Sequence, residues 1–361
     1  MIPFRKTMEN DVLKKDVIRT VLVGLGRIGW GTHLPALLAH PGFAVTAAVD
    51  PVTERLNECK SKYGINGFTS LQDAFAQENF DLAVIASPTC FHAEQTLCAL
   101  NNGCHVFCDK PAAMNLPEFR MMQNAAKENG RLLTVFQPMR IDRHNLFLKK
   151  LINSGKLGKV FMVKMTRERF SCRNDWQALR KNGGGMLLNY GSHMVDQANY
   201  LFDAPGTVIS CITDRILALG DADDVVKLLL RYDSVTVDID INQAAADSVF
   251  RYAVFGTAGS AILPASGHEW QLRLRNESEV SAKELVADFS APDRKYPPDE
   301  TGFYRDSITA PAVEPAETSY YENLYRTIIS GGKLINPLNE TENLIRMIDC
   351  AEQIARKDPV L

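Results

Sequence analysis

The chain has 361 residues, 45% of them hydrophobic, and a formal net charge of -3 at pH 7. This length exceeds what one hydrophobic core usually serves, so we expect two domains. The charge balance offers no basic surface for nucleic acid or an anionic membrane, and no run reaches the roughly 18 apolar residues of a membrane span. The polar residues 1–16 do not have the pattern of a signal peptide, so we expect a cytoplasmic protein.

Eight cysteines are scattered along the chain without a Cys-x-x-Cys pair. Several lie in apolar runs, where free thiols act as small hydrophobic side chains, so we expect no disulfide scaffold. Cys104, His105 and Cys108 are close in sequence, but their spacing along a strand does not converge on a metal and no second ligand pair follows. We therefore predict no metal site.

The stretch Val17 to Gly29, VIRTVLVGLGRIG, is an apolar run that leads into glycines at G-x-G-x-x-G spacing. In a dinucleotide-binding turn, Gly24 would allow the tight bend and Gly26 would let the backbone approach a pyrophosphate. Gly29 would let the following helix, predicted over Ile28 to His40, pack closely on the strand. The pattern predicts a nucleotide-binding domain.

A carboxylate stands where such domains recognise the ribose. Asp50 ends a second apolar run about 20 residues beyond the last glycine, where it can accept from both ribose hydroxyls and repels a 2′-phosphate. We predict NAD as the cofactor, with NADP less favoured, although Arg27 or Arg55 could accommodate a 2′-phosphate.

Strand and helix patterns alternate from residue 17 to 137 with short connections, which predicts a doubly wound parallel sheet of the Rossmann type. Ligands of such sheets bind beyond the carboxyl ends of the strands. The predicted cofactor-binding residues are those of the glycine turn and the strand ends: Gly24, Gly26, Arg27, Ile28, Asp50, Ser87, Pro88, Thr89, His92, Asp109 and Lys110.

Residues 138–361 have a different pattern, which predicts a second, α+β domain with a mostly antiparallel open sheet. Residues 283–317 are rich in Pro, Asp and Glu and predict a long irregular segment. Two helical patterns, 318–330 and 338–355, follow. The strand-like runs that succeed one another without helices are Val208 to Thr213, Val225 to Tyr232, Val235 to Asn242 and Arg251 to Phe255.

Four more motifs occur in order along the chain: FCDKPAAM at Phe107 to Met114, GKLGKV at Gly155 to Val160, GGGMLLNYGSHMVD at Gly183 to Asp196, and FGTAGS at Phe255 to Ser260. With the glycine turn, they resemble the Gfo/Idh/MocA family of nicotinamide-dependent oxidoreductases, over nearly the whole chain. The resemblance implies a substrate-binding second domain whose exposed sheet face often associates, so a homodimer or homotetramer is expected.

The same resemblance implies a catalytic role for Lys110, which matches the lysine of the family's Glu-Lys-Pro tripeptide, with Asp109 in place of the glutamate. An ammonium at this strand end can polarise a carbonyl or stabilise a developing alkoxide. A partly desolvated lysine can also exchange protons, because burial lowers its pKa.

His193 is the second predicted catalytic residue. It lies four residues beyond Asn189, so the two side chains share a helix face, and the preceding glycines would let backbone approach the cofactor or substrate. Near a helix N-terminus the imidazole favours its neutral form, which can accept a proton. Asp196 either orients this ring or caps local polar groups.

Asn189 departs from the family pattern, in which many members have aspartate at this position. An asparagine can hydrogen-bond a substrate hydroxyl but cannot relay a proton. His193, with Lys110, would then carry the acid–base work. The departure also leaves room for an altered or non-catalytic function.

Further candidates are single residues. Thr89 and His92 follow the fourth long strand, and His92 is either a cofactor residue or a structural one on a helix face. His33 is expected to pack. Arg140, Arg169 and Trp176 either line the substrate pocket, with Asn189 and His193, or have surface or core roles.

The sequence thus predicts an NAD(H)-dependent oxidoreductase that transfers a hydride between the nicotinamide and a carbinol of a sugar, cyclitol or related polyol. Two alternatives stay open. One is an NAD-dependent glycoside hydrolase of the same family, which would release an aglycone without net NADH. The other is a non-catalytic dinucleotide- or sugar-sensing regulator.

Overall fold

The structure is a computed structural model that describes residues 17–276, 302–312 and 319–357, together with Leu285 and Arg294. The polar extension 1–16 lies outside the described residues, and so does most of the predicted irregular segment 283–317. In these described ranges no helix is both long and apolar enough to cross a lipid bilayer.

The first sheet of the described chain has six parallel strands: β1 (Ile18–Val23), β2 (Phe43–Val49), β3 (Asn66–Phe68), β4 (Leu82–Ile85), β5 (His105–Asp109) and β6 (Leu133–Phe136). Their spatial order is β3-β2-β1-β4-β5-β6. Strands β2 and β3 therefore lie on one side of β1, and β4, β5 and β6 lie on the other, so the order of addition reverses between β1 and β4. Strand β4 is buried at every residue, as expected for a central strand covered on both faces. The point of reversal is where ligands of doubly wound sheets bind.

Helices connect these strands: α1 (Leu34–Ala39), α2 (Thr53–Tyr63), α3 (Leu71–Gln77), α4 (His92–Asn101) and α5 (Leu116–Glu128). Side chains begin two of them, because Ser70 accepts from the Asp73 amide and Asn115 from the Glu118 amide. The helix predicted over residues 28–40 is less regular than expected, since the π-helical turn Gly29–His33 precedes α1. His33 packs, as predicted, against the edges of Phe107 and Phe136.

The second sheet, again within the described residues, has eight strands in the order β14-β13-β12-β11-β7-β10-β9-β8. It is mostly antiparallel, as predicted, although β10 pairs with β7 in parallel. The strands are β7 (Val160–Glu168), β8 (Thr207–Asp214), β9 (Val225–Tyr232), β10 (Val235–Asn242), β11 (Phe250–Gly256), β12 (Gly259–Pro264), β13 (Glu269–Arg275) and β14 (Phe303–Thr309).

Strand β14 corrects the sequence prediction. Its residues fall inside the segment predicted to be irregular, yet they pair along their whole length with β13. Nearly all of β14 is exposed, because it is the edge strand of the sheet, and this explains why FYRDSIT has no strong alternation of apolar residues.

Two helices of the second half, α6 (Arg143–Asn153) and α7 (Ser192–Phe202), cover one face of the second sheet together with α9 (Leu338–Lys357). The helix α8 (Tyr320–Ser330) instead packs its Tyr320, Tyr321 and Leu324 against the first sheet. Between α8 and α9, the Asn336 amide donates to the carbonyl of Val135 in β6. Residues 320–357 therefore contact both sheets.

Candidate functional site

The glycine turn after β1 has the geometry of a pyrophosphate cradle. Gly24 has φ +93°, and a Cβ added there would lie 2.7 Å from the Ala86 carbonyl carbon. A Cβ on Gly29 would lie 1.8 Å from the Gly24 carbonyl oxygen, whereas a Cβ on Gly26 would meet no atom within 4 Å. Gly24 and Gly29 thus serve the packing of the turn, while Gly26 leaves its backbone accessible from the cavity. The three positions fit the spacing that a dinucleotide needs.

Asp50 lies at the carboxyl end of β2, beside this turn. Its Oδ2 accepts from the Leu25 amide at 2.8 Å and its Oδ1 accepts from the Val52 amide at 2.9 Å. The Arg55 guanidinium is 3.3 Å from Oδ2 and remains half exposed. Asp50 therefore holds the turn in place and is also part of the cavity wall.

A single cavity of about 930 Å³ joins the glycine turn to the second domain. Most of the predicted site residues line it: Gly24, Gly26, Arg27, Ile28, Asp50, Ser87, Pro88, Thr89, Asp109, Lys110, Arg169, Trp176, Asn189 and His193. The predicted His92 and Arg140 are not part of its lining. Predicted residues at the ends of four strands (β1, β2, β4 and β5) and residues more than 50 positions later in the chain thus share one space.

Lys110 follows β5 and reaches the second domain. Its Nζ donates to the side-chain oxygen of Asn189 at 2.7 Å and to the Asn189 carbonyl at 3.0 Å. Burial lowers the pKa of Lys110 to about 8; the neighbouring Asp109 opposes this effect, and Arg173 and Arg27 add to it. Burial also raises the pKa of Asp109 to about 6. The ammonium is therefore held by two uncharged oxygens, and half of the amines lose their proton near pH 8 instead of near the usual pKa of lysine.

Asn189 and His193 lie on the helical segment that begins with the π-helical turn Leu187–Gly191 and continues into α7. Both side chains are buried at the cavity wall. Burial holds the pKa of His193 well below its usual value, and the positive charge of Lys110 lowers it further. The Nδ1 atom of His193 is buried without a hydrogen-bond partner among the described residues. The imidazole is therefore neutral at physiological pH.

The source of this neutral state differs from the sequence prediction. The helical backbone already starts at Leu187, so His193 is not in the first turn of the whole helical segment. Burial and the nearby ammonium, rather than the helix terminus, account for the lowered pKa.

The three consecutive glycines before this helix have a packing role that the sequence did not predict. A Cβ on Gly183 would meet the Thr89 side chain, one on Gly184 the Gln177 carbonyl, and one on Gly185 the Asp223 carboxylate, each within 2.6 Å. All three close approaches are contacts with other parts of the protein. The glycines thus bring the second domain onto the strand-end residue Thr89, and Asp223 holds the helix start through the Leu187 amide at 2.8 Å.

His92 lies behind the cavity wall and joins the two strand-end loops. Its Nδ1 is 2.8 Å from the Pro111 carbonyl and its Nε2 is 2.8 Å from the Ser87 carbonyl. Of the two roles left open for His92, this geometry fits the structural one. The ring links the loop after β4 to the loop that presents Lys110, without contacting the cavity itself.

Arg140 and Asp196 form a buried ion pair away from the cavity. Arg140 Nε and Nη2 contact the two carboxylate oxygens of Asp196 at 3.0 and 2.5 Å, and Nη1 contacts Glu340 at 2.5 Å. The placement of Arg140 in the substrate pocket is thus wrong, and its core role holds. Asp196 neither orients His193 nor faces the site, because its carboxylate is occupied by Arg140.

Several cavity residues were missed by the sequence reasoning. Gln177 accepts from the side-chain amide of Asn189 at 3.2 Å, which fixes the oxygen of that amide toward Lys110. Tyr190, Arg173 and Asp175 also line the cavity, as do residues 69–72 after β3. The rule that ligands bind at strand ends could have found residues 69–72, and Gln177 and Tyr190 adjoin Trp176 and Asn189.

The cysteines near β5 have ordinary packing roles. Cys104 Sγ donates to the Phe80 carbonyl at 3.0 Å, and His105 Nδ1 accepts from the Leu132 amide. Within the described ranges, no group of three or more His, Cys, Asp or Glu side chains is arranged to hold a metal ion.

Comparison with protein families gives two consecutive matches. Residues 18–137 match the GFO_IDH_MocA model, described as "Oxidoreductase family, NAD-binding Rossmann fold". Residues 146–262 match the model described as "GFO/IDH/MocA C-terminal domain". The matches together cover more than half of the chain.

Individual relatives have low sequence identity to this chain but match most of its length. A scyllo-inositol 2-dehydrogenase (NADP(+)) of Bacillus subtilis is 25% identical, over 95% of this chain and 95% of its own length. An uncharacterised oxidoreductase of Schizosaccharomyces pombe is 29% identical, over 67% of this chain and 70% of its own. The crystal structure of an NAD-binding protein from Listeria innocua has a TM-score of 0.80 at 23% identity and covers 94% of this chain and 95% of that one. This structural likeness supports the fold.

Proposed function

Because the chain belongs to the Gfo/Idh/MocA family of NAD-binding oxidoreductases, we propose that it oxidises or reduces a sugar, cyclitol or related polyol at one carbinol carbon. The resemblance inferred from the sequence is thereby confirmed, and NAD is the cofactor of the matched Rossmann domain. A scyllo-inositol dehydrogenase among the relatives supports the polyol class.

The observation that carries the proposal is the placement of Lys110 and His193 in one cavity with the glycine turn. When bound, the nicotinamide would supply the donor or acceptor of the hydride. The glycine turn and Asp50 would hold the pyrophosphate and ribose, and the strand-end residues Ser87 to Thr89 and Asp109 would border the rest of the cofactor.

The proton chemistry follows from the protonation states of the two catalytic residues. In the oxidising direction, the neutral His193 accepts the proton of the substrate hydroxyl, while the Lys110 ammonium stabilises the negative charge that develops on the oxygen. In the reducing direction, Lys110 polarises the carbonyl, and His193 transfers to the oxygen a proton that it first takes up from solvent, because its imidazole is neutral at rest. Asn189 positions Lys110 through its backbone and side-chain carbonyl oxygens and takes no part in the proton transfer.

Exchanging Asn189 for aspartate tests the electrostatic part of this proposal. A carboxylate within 2.7 Å of Nζ favours the charged amine, so the pKa of Lys110 should rise from about 8. The alkaline limb of kcat/KM for carbonyl reduction should move upward by about one to three pH units in Asn189→Asp. Asn153→Asp, at an exposed site on α6, is the matched control and should leave the profile unchanged. An unmoved or acid-shifted limb in Asn189→Asp would argue against Lys110 as the titrating group.

Asp50 should determine the preference for NAD over NADP. Asp50→Asn keeps the shape of the side chain but removes the charge that repels a 2′-phosphate, and Arg55 is already 3.3 Å away. We expect the ratio of kcat/KM for NAD to that for NADP to fall about tenfold, which corresponds to about 1.4 kcal/mol. Asp247→Asn, in an exposed loop, is the control. A wild-type enzyme that prefers NADP would contradict the role given to Asp50.

A spectrophotometric screen tests the activity itself. Inositols, aldoses and ketoses are offered with NAD and NADP in both directions, and the absorbance of the reduced cofactor is followed. Turnover with at least one polyol is expected. Release of an aglycone from a glycoside without net NADH would indicate the glycoside hydrolase, whereas cofactor binding without turnover across the panel would favour the sensing regulator suggested by Asn189.

Three further expectations, on compartment, assembly and domain boundary, belong to the same proposal. We place the protein in the cytoplasm, as a homodimer or homotetramer, with a substrate domain that starts near residue 138. The packing of α8 on the first sheet and the contact of Asn336 with Val135 add one refinement, because they show that this part of the chain contributes to both domains.

A further inference from the structure

Three arginines gather where β7 ends, at the substrate side of the cavity. Arg167 and Arg169 are two residues apart along an extended chain, so they leave the same face of the sheet. Arg169 and Arg173 line the cavity. Arg167 lies just behind its wall, where Nη2 donates to the Tyr190 hydroxyl at 3.2 Å and the guanidinium lies 4.9 Å from the centre of that ring.

The positive charge of this cluster is only partly compensated. Arg173 is paired with Asp175 through two contacts, Nε at 3.0 Å and Nη2 at 2.6 Å. Arg169 has an exposed side chain with no acidic partner among the described residues. Lys110 donates only to the uncharged oxygens of Asn189.

The acidic groups of the cavity do not balance these cations. Asp175 is already paired with Arg173, and Asp109 lies beside Lys110 at the end of β5, on the first-domain side of the cavity. Glu94 and Asp50 also line the cavity, but they belong to α4 and to the end of β2, at the cofactor wall. On the described second-domain wall, Arg169 thus faces the substrate space without an unpaired carboxylate beside it.

We propose that the substrate carries an anionic group, a carboxylate or a phosphate on a sugar or cyclitol, which Arg169 binds. This inference rests on the proposed function, because the carbinol carbon must lie at Lys110 and His193 while the anion reaches the end of β7. Guanidinium groups bind carboxylates and phosphates through paired, charge-assisted hydrogen bonds. Trp176 also lines the cavity, and its aromatic side chain can pack against a sugar ring.

The test compares matched neutral and acidic substrates in one assay. Glucose, glucuronate and glucose 6-phosphate, galactose and galacturonate, and the inositols and their monophosphates are offered with NAD and NADP. For the wild-type protein we expect kcat/KM of an acidic member to exceed that of its neutral counterpart at least about tenfold, the size of one charge-assisted hydrogen bond. The carboxylate and phosphate arms identify which anion is preferred.

Arg169→Gln then assigns the preference to a residue. The ratio of acidic to neutral kcat/KM should fall about tenfold, because only the acidic substrate loses the charge-assisted contact. Arg356→Gln, at an exposed position on α9, is the matched control and should leave this ratio unchanged.

Each outcome decides between distinct conclusions. Equal or better turnover of the neutral members overturns the anionic substrate but leaves the proposed oxidoreductase standing. An acidic preference that survives Arg169→Gln overturns the assignment to Arg169. No turnover of any member with either cofactor overturns the proposed function itself.

Discussion

Replacing Lys110 with alanine should lower kcat about 10²–10³-fold, the loss typical of removing one donor that stabilises a developing oxyanion. The side chain is held at its place by two oxygens of Asn189, at 2.7 and 3.0 Å, so the wild-type ammonium is preorganised for that charge. Alanine removes the ammonium and leaves the glycine turn and Asp50 untouched. The affinity for NAD(H), measured by fluorescence titration, should therefore stay within a few-fold of wild type.

His193→Ala should lower kcat by a similar or larger factor, about 10²–10⁴, because it removes the proposed general base. The two variants differ in their pH dependence. Without His193, an external buffer base must take the hydroxyl proton, so the rate of oxidation should rise with buffer concentration. Without Lys110, the limb near pH 8 should disappear from the profile, since that is the pKa of the missing amine.

Two exposed residues supply the controls for these measurements. Lys127→Ala, in the last turn of α5, and His268→Ala, beside β13, remove the same side chains at sites outside the cavity. Both should retain wild-type turnover. If Lys110→Ala and His193→Ala also kept more than about a tenth of it, neither residue would perform the chemistry assigned to it.

Arg140→Met should be the most destabilising single substitution among those considered, by about 3–5 kcal/mol, because it leaves a buried carboxylate without its cation. Asp196 is 1% exposed, and both of its oxygens contact Arg140. The same arginine also donates to the Ile335 carbonyl at 3.2 Å. The substitution therefore removes a contact from the segment between α8 and α9 as well.

A double variant separates the cost of leaving Asp196 without its cation from the cost of the packing lost with the Arg140 side chain. In Arg140→Met/Asp196→Leu no buried charge remains unpaired, so the double variant should recover most of the lost stability. Glu340→Gln should cost less than about 1 kcal/mol, because that carboxylate is 42% exposed. Equilibrium urea unfolding followed by fluorescence and circular dichroism gives all three values. A double variant no more stable than the single one would show that the ion pair itself is required.

Much of the first domain was predictable because its signals are local. The glycine turn, Asp50 and the Lys110 loop are each fixed by a strand and the few residues after it. Parallel strands bring their carboxyl ends together, so residues at those ends were expected to share a site. The cavity does contain them, and it brings Asn189 and His193 to the same space.

The errors concern contacts between distant parts of the chain. Arg140 was placed in the substrate pocket because nothing nearby identifies its partner, and Asp196 is 56 residues away and Glu340 is 200. The glycines at 183–185 signal a close approach, but the sequence does not say to what. Strand β14 lacks alternation because it is an exposed edge, and its partner β13 lies beyond residues that the structure does not describe.

A crystal structure with NADH and the best substrate of the screen would test the proposed arrangement of catalytic residues most directly. We expect Lys110 Nζ and a ring nitrogen of His193 to lie within about 2.6–3.2 Å of the same substrate hydroxyl oxygen. A hydroxyl that contacts neither residue, or a Lys110 that stays bound to Asn189 while the substrate lies elsewhere in the cavity, would contradict the proposed function.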